Sequence, residues 1–449
     1  MNKSLLKNEL RESILLSYPL VSALLAQIAM EIVSTIMIGR LGPVPLAASA
    51  LGNAVFFTLL VFCSGLFSAE SVLIARARGA KKHSDIRKTL LHAIYIALFL
   101  AIPSMLILRL SPYILLRTGA EPEILELSLA YLKALSWGMP GLIGYFVFRE
   151  FLTAMSHTKI IMFLSLTATP VAAFFNYVFM YGKFGIQPLG VVGAGYATAL
   201  MEWIFLAVLL IVVLYKKQLY TYLNFKNVNK FVFAKLLQIV KLGTPVSITM
   251  GLEVGLFTVT TLLMGSFGAD SLAAHQIALQ CATVAFMFPL GIAQATAIRV
   301  GINSGAGSRI KANYAGFAGL TLGFMVAIVT CTLLLIFPEF IISLFVNIEE
   351  KNIIKLIPIG VSFISVMGLF QLVDAFQVIL NGALRGLKDT FVPMWLGLLS
   401  YWISGLLSGY LLAFKFGLGG VGLWWGLGIG IGVSALLLYI RYHYKIRQI

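Results

Sequence analysis

The apolar stretch FQLVDAFQVILNG, residues 370–382, carries a carboxylate at Asp374 with Gln371, Gln377 and Asn381 around it. At 100° per helical residue, positions 371, 374, 377, 381 and 385 stay within an arc of roughly 120°, so they form one polar stripe. A second acid, Glu253, lies between Gly251 and Gly255, small residues that let a neighbouring helix approach closely. Neither acid has a Lys or Arg within one turn. A carboxylate placed in an apolar span costs about 2.5–3.5 kcal/mol, which marks it as a functional candidate. Burial makes its charged form costly, so it can exchange a proton; its oxygens can also hold Na⁺ if neutral oxygens complete the shell. Glu253 and Asp374 are therefore the candidate cation site, with Gln371, Gln377 and Asn381 as supporting ligands.

A second oxygen-rich patch lies near the start of the chain, where Glu31 has Gln27 one turn before it and Ser34 and Thr35 one turn after. Two further groups carry less. Glu202 has only Trp203 beside it, and His275 follows a Leu-Ala-Ala run at a helix end, where it either bonds that end or shuttles protons. Glu70, Arg149 and Glu150 read as interfacial side chains that snorkel towards headgroups. No HExxH, GxSxG or cysteine-nucleophile setting occurs, so an enzyme is not expected. The three cysteines, Cys63, Cys281 and Cys331, have no metal-like spacing and read as packing residues.

The elements that must position these groups are membrane helices. With 60% hydrophobic and 11% charged residues, 449 residues cannot cover a soluble surface. Apolar runs of about 20 residues occur twelve times, from 14–38 to 419–440, with the fourth at 125–153 and the eleventh at 391–414. An all-α polytopic membrane protein with twelve transmembrane helices follows. The net charge of +16 reports topology and anionic lipid, not nucleic acid. If both termini are cytoplasmic, most of the 33 Lys and Arg residues fall inside, and the outer side keeps only Arg40, Arg109, Arg117, Lys183, Lys351, Lys355 and Lys415.

An internal repeat organises the twelve spans. Shifting the chain by 226 residues pairs IGRLGPVPLAAS (38–49) with MGSFGADSLAAH (264–275), and in the same register Pro19 with Pro245, Gly65 with Gly291 and Gly79-Ala80 with Gly305-Ala306. Two six-helix copies in the same orientation give two pseudo-symmetric lobes, 1–215 and 239–449, joined by a basic cytoplasmic linker at 216–238. Secondary transporters are commonly built this way, with the substrate path between the halves.

The stretch FGADSLAAHQIALQCATVAFMFPLGIAQATAIRVG (267–301), GLEVGLF (251–257), and VDAF followed by NGALRGLKDT (381–390) resemble the multidrug and toxic compound extrusion (MATE) family, in its NorM-like branch. The resemblance spans essentially the whole chain. It implies export of amphipathic or cationic organic compounds against inward Na⁺ or H⁺, with no other cofactor, by a single chain in the bacterial inner membrane. It also implies a coupling role for the carboxylates matching Glu253 and Asp374. NorM-like relatives place an aspartate where this chain has Ser34, so Glu31, three residues earlier, is the acid available there. A lipid-linked saccharide flippase of the same broad fold, or a receptor without turnover, is the alternative. Flippases would line the path with cations, whereas the mid-span charges here are mainly acidic.

Overall fold

The computed structural model describes residues 3–111, 121–224, 231–346 and 356–448. Arg117, Lys351 and Lys355, assigned above to the outer side, and Lys226 and Lys230 of the linker lie outside the described residues.

The main helices are α1 (Lys3–Gly39), α2 (Pro43–Gly79), α3 (His83–Leu110), α4 (Pro122–Ser136), α5 (Met139–Ala154), α6 (Thr158–Tyr181) and α7 (Gly190–Tyr215). They continue with α8 (Phe233–Met264), α9 (Ala269–Gly305), α10 (Arg309–Ile336), α11 (Leu356–Gly386), the composite helix α12 over 391–415, and α13 (Gly419–Ile446). Eleven of these are long and apolar enough to cross a membrane. The twelfth expected span, the fourth in order, is present as two consecutive pieces, α4 and α5. Large apolar side chains point outward, Phe99 on α3 being 74% exposed, as a lipid-facing surface requires.

The fourth span breaks for a local reason. Pro140 supplies no N–H and its ring crowds the carbonyl one turn back, which interrupts an α-helix. Gly138 sits where α7 crosses, and a Cβ there would lie 2.7 Å from the Ala199 Cα. The carbonyl of Trp137 freed by the break accepts from the Trp203 indole at 2.9 Å. Arg109 stacks over the Trp137 ring at 4.7 Å.

The chain divides into two compact units: 22–247, and 1–21 together with 248–449. The cuts fall inside α1 and α8 at positions 226 residues apart, each two residues beyond a proline within the helix, Pro19 and Pro245. Equivalent contacts hold the exchanged pieces. In one unit Gly291 of α9 takes the backbone of Val21, whose N would be 2.9 Å from an added Cβ. In the other, Gly65 of α2 takes the backbone of Ser247, whose Cα would be 2.6 Å away. The Ser247 hydroxyl also donates to the Phe62 carbonyl at 2.7 Å. These compact units are a different division of the chain from the lobes drawn from the apolar runs.

The repeat also reaches the turns. After α2, the Ala80 N–H donates to Arg76 O and the Lys82 N–H to Ala77 O. After α9, the Ala306 N–H donates to Ile302 O and the Ser308 N–H to Asn303 O. Lys81 and Gly307 occupy the same left-handed position, at φ 56° and 73°.

Within the unit holding 248–449, α11 lies in the middle, packed against α9, α10 and α13. Trp424, Phe363, Met367 and Tyr401 form its buried core. Helices α12 and α13 meet along glycines: Cβ atoms on Gly422 and Gly430 would lie 2.6 Å from Ala413 N and 2.7 Å from Gly405 Cα. Small residues at this spacing let two membrane helices touch backbone to backbone.

Candidate functional site

The central position of α11 decides where its stripe points. Gln371, Asp374 and Gln377 are buried, while Asn381 is half-buried. Glu253, on α8 beyond the cut, is half-buried, and its charge and that of Asp374 bear on each other and on the Tyr401 hydroxyl. The sequence expectation that both flanking glycines admit a neighbour holds for one. Gly255 faces the Trp402 ring, 3.1 Å from an added Cβ, whereas none of the described residues lies within 4 Å of such an atom on Gly251.

Hydrogen bonds leave the acids with capacity. The Gln377 amide Nε2 donates to the Tyr401 hydroxyl, and the Gln371 amide donates to the Met367 sulfur at 3.8 Å. Asp374 Oδ1 and Gln377 Oε1 are buried without a hydrogen-bond partner among the described residues. An orphaned buried carboxylate oxygen costs free energy unless a proton or cation supplies its partner. Glu253, Asp374, Gln377 and Tyr401 thus form one cluster, and Gln371 directs its amide elsewhere.

The first-half patch is more dispersed. Glu31 and Thr35 are exposed, and Gln27 and Ser34 half-buried. Ser34 accepts from the Asn176 amide at 2.7 Å. These two line a small cavity with Met30, Ala172, Ala197, Thr198 and Met201. Asn176 Oδ1 is buried without a partner among the described residues. Gln27 and Thr35 do not line this cavity. Glu31 also lies outside its lining and acts electrostatically on Tyr131, whose hydroxyl donates to Asn53 at 2.9 Å.

Glu202 is buried with one oxygen unpartnered among the described residues. His275 bonds the Thr261 hydroxyl on α8 through Nε2 at 3.0 Å and meets the Trp424 ring edge-on at 5.3 Å, so its partner is a side chain and not a helix end. Glu70, Arg149 and Glu150 do not snorkel. All are buried, Arg149 and Glu150 pair at 3.6 Å, and both Glu70 oxygens lack a partner among the described residues. Tyr401 and Asn176 were missed from the sequence. Asn176 stands alone as an amide in an apolar span, a signal of the kind that singled out Gln371.

A family model described as MatE matches residues 19–178 and 245–411, two segments whose first residues are again 226 apart. The probable multidrug resistance protein NorM of Mesorhizobium japonicum is 36% identical over 442 residues, covering 98% of this chain and 95% of that protein. The multidrug resistance protein NorM of Burkholderia vietnamiensis is 36% identical over 431 residues, covering 96% and 93%. Among solved structures, MATE in complex with MaL6 matches with a TM-score of 0.88 at 21% identity, over 100% of this chain and 99% of that one. The eukaryotic MATE transporter AtDTX14 matches with a TM-score of 0.83 at 20% identity, over 99% and 98%.

Proposed function

Since the chain belongs to the MatE family, we propose that it is a secondary active multidrug exporter, antiporting amphipathic or cationic organic compounds against inward Na⁺ or H⁺. The observation that carries this reading is the Glu253–Asp374 pair, two mutually felt acids with an unsatisfied buried oxygen and no Lys or Arg within a turn of either. Such a pair is neutralised by a proton, by Na⁺ or partly by a cationic substrate. Occupancy by one weakens the others, and exclusion combined with a change of exposure gives exchange transport. Names borne by the NorM relatives support the drug class.

Na⁺ is the first cation to test, because the amide oxygens of Gln377 and Asn381 stand on the same stripe as Asp374. An elementary charge moving inward down about 100 mV releases roughly 2.3 kcal/mol. That supports close to a fifty-fold gradient of a neutral compound, by the rule of about 1.4 kcal/mol per factor of ten. The excess of Lys and Arg on one set of loops supports an inner-membrane protein with both termini cytoplasmic.

The test is dye efflux from proteoliposomes with a Na⁺ gradient at equal pH, then a pH gradient without Na⁺. Stimulation by at least one gradient is expected. Efflux indifferent to both would overturn antiport, and movement of a lipid-linked saccharide without dye efflux would favour the flippase.

A further inference from the structure

Helix α12 changes pitch beside the two acids. Residues Phe391–Leu398 are α-helical, and Leu399–Leu406 then form π-helical turns, which contain Tyr401. π-Helical turns are rare and recur at functional sites, because the extra residue per turn redirects side chains. The Tyr401 side chain is fully buried, and its hydroxyl oxygen accepts from the Gln377 amide. A phenol that accepts in this way keeps its own hydrogen for donation. The charged groups near that hydroxyl are Glu253 from α8 and Asp374 from α11, and the Ser434 hydroxyl of α13 is, like Gln377, a hydrogen-bonding neighbour of it. Asp374 still has an unpartnered buried acceptor, Oδ1.

We propose that Tyr401 is a positioning residue for the coupling cation: its hydroxyl, oriented by Gln377, donates to the ionised carboxylate of the Glu253–Asp374 pair and sets how that pair discriminates between a proton and Na⁺. This rests on the pair being the coupling site. A donor aimed at the carboxylate favours the anion over the acid. Na⁺ needs the anion, while a proton consumes it. Removing the hydroxyl therefore strengthens proton occupancy and weakens Na⁺ occupancy. Damage to packing would instead weaken both.

Tyr401→Phe keeps the ring and deletes only the hydroxyl. Purified wild type, Tyr401→Phe, Gln377→Met, Glu253→Gln and Asp374→Asn are compared in proteoliposomes. Two readouts are taken: the pH of half-maximal proton-driven efflux without Na⁺, and the Na⁺ concentration of half-maximal efflux at fixed pH. For Tyr401→Phe the first is expected to rise by about one pH unit and the second by about tenfold, the scale of one hydrogen bond to a charged group. Gln377→Met is expected to move both the same way by less. If the wild type responds to one cation alone, the direction of that curve decides. Unchanged curves, or weakened response to both cations, would overturn the role of Tyr401. Full gradient-driven transport by both Glu253→Gln and Asp374→Asn would instead overturn the coupling site itself.

Discussion

Asp374 and Glu253 differ in a way that predicts how their substitutions behave. Asp374 is buried on a central helix with an orphaned oxygen, so Asp374→Asn replaces an unsatisfied acceptor by a neutral group of the same shape. We expect it to insert normally and to be no less heat-stable than wild type, by up to about 2 kcal/mol in its favour, because a costly buried charge is gone. Coupled efflux is expected to be lost in Asp374→Asn and in Glu253→Gln; near-normal gradient-driven transport in both variants would disprove their assignment. Glu31 is exposed and outside the small cavity lined by Ser34 and Asn176. Glu31→Gln is expected to alter the pH dependence of efflux without abolishing it. Unchanged Na⁺ and pH responses would make it structural. The paired acids were legible in the sequence because an acid in an apolar run stands out by type alone. Tyr401 was not, because an aromatic residue in an apolar helix carries no such mark, and the π-helical pitch defeats a count at 100° per residue. Arg149 and Glu150 were misread for a related reason: sequence suggests depth along a helix but not the neighbour that satisfies a charge.

At the level of elements, small residues set how closely the helices approach. Gly65 and Gly291 each face the backbone of an exchanged helix segment. Gly65→Val and Gly291→Val are both expected to destabilise by about 1–3 kcal/mol through overpacking against backbone, read as a lower melting temperature of the purified protein. Gly251→Ala has open space and is expected to be neutral within about 0.5 kcal/mol. Equal tolerance of all three would show that the close approaches do not matter. The helix inventory was readable because apolar runs of bilayer length leave few alternatives. The break between α4 and α5 had a local signal in Gly138 and Pro140, but the residue that makes it tolerable, Trp203, lies on another helix.

At the level of the whole molecule, the first turns of α1 are fixed by charge as well as packing. Arg299 on α9 bonds Glu9 at 2.8 Å and Glu12 at 3.4 Å, and Asn303 donates to Glu9 at 3.1 Å. Glu9→Gln and Arg299→Gln are each expected to cost about 1–2 kcal/mol, less than a fully buried pair because Arg299 keeps some contact with water. The double variant is expected to cost less than the sum, since neither partner is left stranded. Strict additivity in thermal unfolding would show that the pair does not interact. That residues 1–21 associate with 248–449 was not legible, because periodicity places a residue on a helix face and cannot say which partner that face meets.

The exchange of α1 and α8 segments fixes an order of manufacture. A ribosome releases residues 3–21 first, yet the compact unit they belong to is finished only after α9 to α13 have emerged. At about 5–20 residues per second, that is a wait of about twenty to ninety seconds. The unit 22–247 likewise cannot close when its sixth span is complete, because it needs the first turns of α8 beyond the connecting segment. A nascent chain stopped at residue 224 is thus expected to remain protease-sensitive, whereas one stopped far enough past residue 247 to clear the exit tunnel gains a resistant core. The boundary between the connecting segment and α8 is therefore not a point at which either unit is finished, and a translation pause after the seventh helix would expose an unfinished protein to quality control.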